Sequence, residues 1–387
     1  MSLEGVLSTH RVVVTVGSGG VGKTTTAAAL ALIAAQQGRR VLCLTIDPAK
    51  RLANSLGLEE MTTEEQVVPE SLFQEQGLAM NGTLSAMMLD TKGTFDELVE
   101  RTASSPEAAE RILANQVYRY LSSQLAGTSD YMAMEKVHAV REDERYDLIV
   151  LDTPPTSNAL DFLDAPERLG DLLDSPAMRW FVQAFETTGR FSFNQLGKGA
   201  AFLLRGLAKF TGTGFLDVVA EFVTDINELF GGFQSRAAEV SAALRSPEVA
   251  FVIVTSPSPL AMDEALFFAE RLKSSGMKRD GFVINGMRPL FAEPPEGEAR
   301  LVKELEAHVP ETVDARHLLS RMRTALDHAR TRAIGDRRNA DRFRQRAGQE
   351  ELYVEVPYLE RDVHDLTSLA EVASYLRGQQ SLPTVMP

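Results

Sequence analysis

Apolar residues along this chain gather into short β-branched runs separated by longer stretches of helical period. Arg11–Val16 is such a run and ends in glycines; RRVLCLTID over 39–47 is the next. LSAMMLD (84–90), YDLIVLD (146–152), AFVIVTS (250–256) and GFVINGM (281–287) repeat the pattern, and YVEVPY (353–358) reads as a last strand. Apolar residues at consecutive rather than alternate positions predict parallel strands buried on both faces. Between the first two runs, an Ala- and Leu-rich stretch from Thr24 to about Gln37 stops at Gly38, which predicts a helix with a glycine cap. Strand, helix and strand at this spacing make a βαβ unit, and its recurrence predicts an α/β fold with a doubly wound, mostly parallel sheet.

The longer stretches predict helices of two kinds. Thr94–Arg141 is mixed and amphipathic. GFLDVVAEFVTDINELFGG places Phe215, Val218, Val219, Phe222, Ile226, Leu229 and Phe230 on one helical face. Ahead of it, MRWFVQAF (178–185) and AAFLLRGLAKF (200–210) are rich in large apolar groups, and 186–214 is dotted with Gly and Thr. These features divide the chain into a core of 1–165 and 246–387 and an inserted α-helical subdomain over 166–245, with helices of 94–141 packed nearby. The arginine-rich stretch 316–346 has Leu318, Met322, Leu326 and Ala329 on one face and reads as a solvated amphipathic helix.

Composition narrows the function. A net charge of −14 over 387 residues argues against nucleic-acid binding by phosphate neutralisation and against docking on an anionic membrane. One cysteine, Cys43, leaves no pair for an intrachain disulfide or a Cys-based zinc site. Cys43 sits mid-strand, where a small buried hydrophobe is expected. The six histidines have no metal-pairing spacing. MSLEGVLSTHRVVV lacks a positive region followed by an apolar one, and no run is apolar for the roughly 18 residues that a bilayer span needs. The expected setting is the cytoplasm.

TVGSGGVGKTTTAAAL over 15–30 carries the chemistry. Gly17-x-x-x-x-Gly22-Lys23-Thr24 is the phosphate-binding P-loop pattern, here after a strand and opening a helix. Backbone N–H groups of Gly19, Gly20, Val21 and Gly22 would form an anion nest next to a helix N-terminus. Lys23 would reach the β- and γ-phosphates, and the Thr24 hydroxyl would ligate Mg²⁺. Asp152, at a strand's C-terminal end, is placed to hold Mg²⁺ through water or to cap the turn before Pro154. Asp47, before Pro48, is in the equivalent place on the second strand; it would orient the attacking water or shape a turn.

The GSGGVGKTT loop, IDPAKRLANSLG and VLDTPPTSNALDFLDAPERL resemble the ArsA-type ATPases, within the deviant Walker A P-loop NTPases. That family includes the arsenite-pump ATPase and the ATPase that targets tail-anchored membrane proteins; the nearest likeness is its bacterial anion-transporting branch. The resemblance runs from about 10 to 376 and is loose in the helical region. It implies an ATP hydrolase dependent on Mg²⁺, with Lys23, Thr24 and Thr25 on phosphate and Asp47 as the catalytic switch I aspartate. It further implies Asp152 in switch II, Asn285 reading adenine and Pro357 near the loop that covers the base. It implies a dimer that ATP closes and hydrolysis opens, acting on a client or partner. The alternatives are the energising subunit of an arsenite-type anion efflux system and a MinD/ParA-like positioning ATPase.

The sequence departs from this family at three points. Its members begin the loop GKGGVGKT, and the first lysine reaches the phosphates of the partner subunit; here that position is Ser18. Three consequences are open: slow turnover, substitution by Lys50 or Arg51, or a heterodimer with a lysine-bearing homologue in place of a homodimer. The lone Cys43 cannot form a thiolate site for As(III). No CxxC motif is present for the zinc clamp of the targeting branch. The phenylalanines between Phe181 and Phe233 would either pack internally or, over 178–233, cradle an apolar client helix.

Overall fold

The computed structural model describes residues 2–46, 51–153 apart from 117, 120, 121 and 123–127, then 235–293, 297–310 and 312–385. Eight strands form one sheet in the order β3-β4-β2-β5-β1-β6-β7-β9. They are β1 (Val12–Val16), β2 (Arg40–Thr45), β3 (Gln66–Val67), β4 (Thr83–Met88), β5 (Leu148–Asp152), β6 (Val249–Thr255), β7 (Arg279–Met287) and β9 (Tyr353–Pro357). The pairs β1–β5, β2–β5, β6–β7 and β7–β9 are parallel, and the short edge pair β3–β4 is antiparallel. Two residues each of β8 (Leu290–Phe291) and β10 (Thr384–Val385) form a separate parallel ribbon. Every long run read as a strand is one. The two-residue edge pieces carry too little apolar pattern to be seen in the sequence.

By contacts the chain divides into two units. The first comprises Met1–Met87, Arg145–Ser157 and Ala250–Pro387. Part of its core lies on one face of the sheet, where Val13, Cys43, Val150, Val252 and Val283 meet α1 (Leu3–Thr9), α2 (Lys23–Gln36) and α3 (Arg51–Ser55). α2 is apolar on all sides, as a helix enclosed by its neighbours must be, and Ala27–Ala35 are fully buried. On the opposite face Phe282 stacks on Tyr353 and meets Phe343 edge-on, with centroids 5.3 and 5.0 Å apart.

Phe343 belongs to a helix of 33 residues, Ala315–Ala347. In chain order α4 (Glu70–Glu75), α5 (Thr91–Thr102), α6 (Pro106–Ala114), α7 (Thr128–Arg141), α8 (Pro259–Ser274) and α9 (Glu298–Glu306) precede it, so it is α10; α11 (Leu366–Leu376) follows. The helix forms as expected, and its buried positions continue the expected face into its C-terminal half, while Leu318, Leu326 and Ala329 on that face are only half-buried. Leu319, Ala333, Asp336, Ala340 and Phe343 are buried, whereas Met322 is 51% exposed. Helical period sets the face, and the sheet decides which part of its length is buried: Phe343, near the C-terminus, meets Phe282 of β7 and Tyr353 of β9.

The second unit comprises Met88–Glu144 and Asn158–Val249. Its described part holds α5, α6, α7 and a helical stretch over 235–244. There the buried Glu135 carboxylate accepts from Arg236 Nε at 2.8 Å. The pair offsets part of the cost of burying a charge.

Candidate functional site

β1 delivers the phosphate loop and α2 continues from it. Gly17 has φ +153°, and a Cβ on it would lie 2.1 Å from the Val254 carbonyl oxygen of β6. Gly22 caps α2 at φ +94°, where a Cβ would lie 2.2 Å from Asn285 Nδ2. Both glycines are therefore required by close approach as well as by backbone angle. Gly19 and Gly20 are exposed. The cap residue Gly22 has no side chain to offer, and the first turn of α2 holds no acidic residue. The first N–H groups of the helix are thus left for an anion.

Lys23 is 5% exposed, and its Nζ donates to the Ser18 carbonyl oxygen at 2.9 Å. The ammonium is folded over the loop it would serve. The acceptor is backbone, so this contact does not depend on which side chain occupies position 18. Val21 is buried, and Thr24 and Thr25 are half-buried at the helix start.

Beside the loop, the ends of β2, β5 and β1 form a buried polar layer. Asp152 is fully buried and is in register with both Thr15 and Thr45. Its Oδ2 accepts from Thr45 Oγ1 at 3.0 Å, and its carbonyl accepts from Ile46 N–H at 3.3 Å. Thr153 Oγ1 donates to Thr15 O at 2.7 Å, and Thr15 Oγ1 donates to Leu151 O at 3.1 Å. These bonds hold the carboxylate at the carboxyl ends of the central strands, where open α/β sheets bind ligands. Cys43, on β2, is fully buried; burial and then the Asp152 charge push its thiol pKa well up. It is a packing group, not a thiolate ligand.

On the other side of the loop, Asn285 Nδ2 donates to Val21 O at 2.9 Å. The β7–β9 register slips between Asn285 and Met287, which sets Met287 opposite the buried Pro357. The Tyr358 N–H then bonds Met287 O at 2.8 Å. The phosphate loop and β7, which carries Asn285, thus touch through Val21, and β9 sets Pro357 beside β7.

No cluster of three His, Cys, Asp or Glu side chains capable of holding a metal exists among the described residues. A metal here would rest on few protein ligands, with the remainder from water and phosphate. The oxygen donors of Thr24 and Asp152 fit Mg²⁺, which binds in that way. Asp47, Lys50, most of DTPPTSNALDFL and the stretch 178–233 lie outside the described residues. Arg51 is the exposed first residue of α3.

Sequence reasoning passed over Thr15, Thr45 and Thr153. A signal was present: VVVTV and LCLTI each carry a threonine at or beside the strand end. Among these buried apolar runs a hydroxyl needs a partner, and here the partners are strand carbonyls and Asp152.

A sequence model of the anion-transporting ATPase (ArsA-type) family matches residues 10–313. A protein of Aquifex aeolicus provisionally named arsenical pump-driving ATPase 2 is 26% identical over 305 residues, covering 75% of this chain and 86% of that protein. The ATPase GET3 of Kluyveromyces lactis is 25% identical over 312 residues, covering 76% of each chain. That of Chaetomium globosum is 25% identical over 281 residues, covering 72% of each.

Proposed function

The chain belongs to the ArsA-type anion-transporting ATPase family, and we propose that it is an Mg·ATP hydrolase acting as a dimer switch that binds or releases a client. One observation carries this reading: an uncapped helix start with Lys23 folded over it adjoins a buried aspartate at the neighbouring strand ends. In this reading the loop N–H groups and Lys23 bind the triphosphate. Thr24 directly and Asp152 through water hold the magnesium ion, whose charge offsets that of the β- and γ-phosphates. Asp47 orients the attacking water, with Thr25 on phosphate and Asn285 and Pro357 at the base.

Ser18 sets the limit on turnover by the chain alone. A hydroxyl supplies no positive charge to the partner's phosphates. The missing group is comparable to an arginine finger, which is worth about 10³–10⁵ in rate. We favour completion of the site by a homologue that carries the lysine; the stretch 178–233 either packs internally or, in the closed pair, offers a surface for an apolar client helix. Among the described residues, no helix is long and apolar enough to cross a membrane. The energising ATPase subunit of an arsenite-type anion efflux system is the second reading, and the burial of the lone Cys43 speaks against arsenic sensing by thiolate.

The deciding experiment is steady-state Mg·ATP turnover over a wide range of protein concentration, alone and with a lysine-bearing homologue. Specific activity that rises with concentration supports self-assembly with Ser18 tolerated. Activity that appears only on mixing supports the heterodimer. No ATP binding under any condition refutes the reading.

A further inference from the structure

The longest helix among the described residues, α10, is tied to the strand ends that flank the phosphate loop. Arg288 follows β7, three residues after Asn285. Its N–H and Nη1 donate to the Asp336 carboxylate of α10 at 3.1 and 2.8 Å. Arg337 Nη1 donates to Arg288 O at 3.0 Å, and Asn339 Nδ2 donates to Pro257 O, in the loop after β6, at 3.0 Å. One turn of α10 therefore grips the segments that follow both β6 and β7. Those strands are the ones that meet the loop: Val254 O stands against Gly17, and Asn285 Nδ2 holds Val21 O.

The Asp336 side chain is only 8% exposed, whereas that of Arg288 is 44% exposed. A buried carboxylate is a costly way to fasten a helix to a sheet, and an apolar residue serves packing at least as well. What the carboxylate adds is direction. It accepts from both the backbone and the guanidinium of one residue, which fixes the path of the chain just beyond Asn285.

We infer that Asp336 is a positioning residue: through Arg288 it holds Asn285 against the phosphate loop and so sets nucleotide affinity. The inference rests on the ATPase reading above. It assigns the effect to binding and leaves the chemical step to Lys23 and its neighbours.

The test is Mg·ATP turnover, equilibrium Mg·ATP binding and thermal melting of the full chain for Asp336→Asn, Arg288→Ala, their double variant and Arg288→Lys. Loss of the charge-assisted contact is expected to raise KM and Kd about tenfold, with kcat within about twofold of wild type. The double variant should be no weaker than the weaker single variant, because the two residues act as one unit. Arg288→Lys keeps the charge and the backbone bond, so it should fold and fall between wild type and Arg288→Ala. Unchanged affinity in Arg288→Lys and Asp336→Asn overturns the inference, as does a loss of kcat that only follows the folded fraction. Wild type that binds no ATP fails the ATPase reading itself, a result distinct from either.

Discussion

Asn285 Nδ2 donates a 2.9 Å hydrogen bond to the Val21 carbonyl oxygen across 264 residues of chain. The last strands of the sheet thereby hold the phosphate loop in place. Gly22, next to Val21, has no room for a Cβ, which would lie 2.2 Å from the same Nδ2. Gly22→Ala is expected to push Asn285 away and to strain the backbone at φ +94°. The cost should be about 1–3 kcal/mol in stability, with at least about a tenfold loss of Mg·ATP affinity. Urea unfolding and equilibrium nucleotide binding check both.

Thr45→Val removes a donor to the buried Asp152 while keeping shape. A buried carboxylate that loses a hydrogen bond costs about 1–3 kcal/mol. The variant should therefore unfold at lower urea, and because Asp152 is less well oriented it should need more Mg²⁺ for half-maximal turnover. A magnesium titration of wild type and variant measures the second effect; coincident curves would show that Asp152 does not serve the metal.

Ser18→Lys restores a positive charge at the position where the family carries one. Turnover by the chain alone should rise at least about tenfold, a small part of what an intersubunit cation supplies in related chemistry. The rise should be steepest at high protein concentration. Lys23→Ala is the control and should lose at least about 10²-fold in kcat/KM in either background. A Ser18→Lys variant no faster than wild type would mean that another cation already fills the role.

Asp147 is bonded by the Arg40 side chain and backbone, which pull its pKa from 3.8 down to about 2. With the folded-state value depressed, the ionised carboxylate favours folding above about pH 4. That contribution is lost as the pH falls towards the folded-state value. Both side chains are more than a third exposed, so screening holds the effect below about 1 kcal/mol. Urea melts should show Asp147→Asn slightly weaker than wild type at pH 6 and the gap closing towards pH 2.

The long strands were legible because burial on both faces writes a continuous apolar run, and the phosphate loop because its glycines and Lys23 keep a fixed spacing. Local sequence thus determined β1, α2, β2 and the loop between them, along with the placing of Asp152 at a strand end. Tertiary structure alone decided which elements meet. Nothing near Val21 announces Asn285, and although helical period puts Asp336 on the apolar face of the arginine-rich stretch, nothing there announces Arg288 as its partner. The apolar face of α10 was legible, but only the sheet decided that the part of it carrying Phe343 is the buried part. The physical reason is range. Period and turn chemistry act over a few residues, whereas the contacts that shape this site join residues tens to hundreds of positions apart and exist only once the sheet order is set.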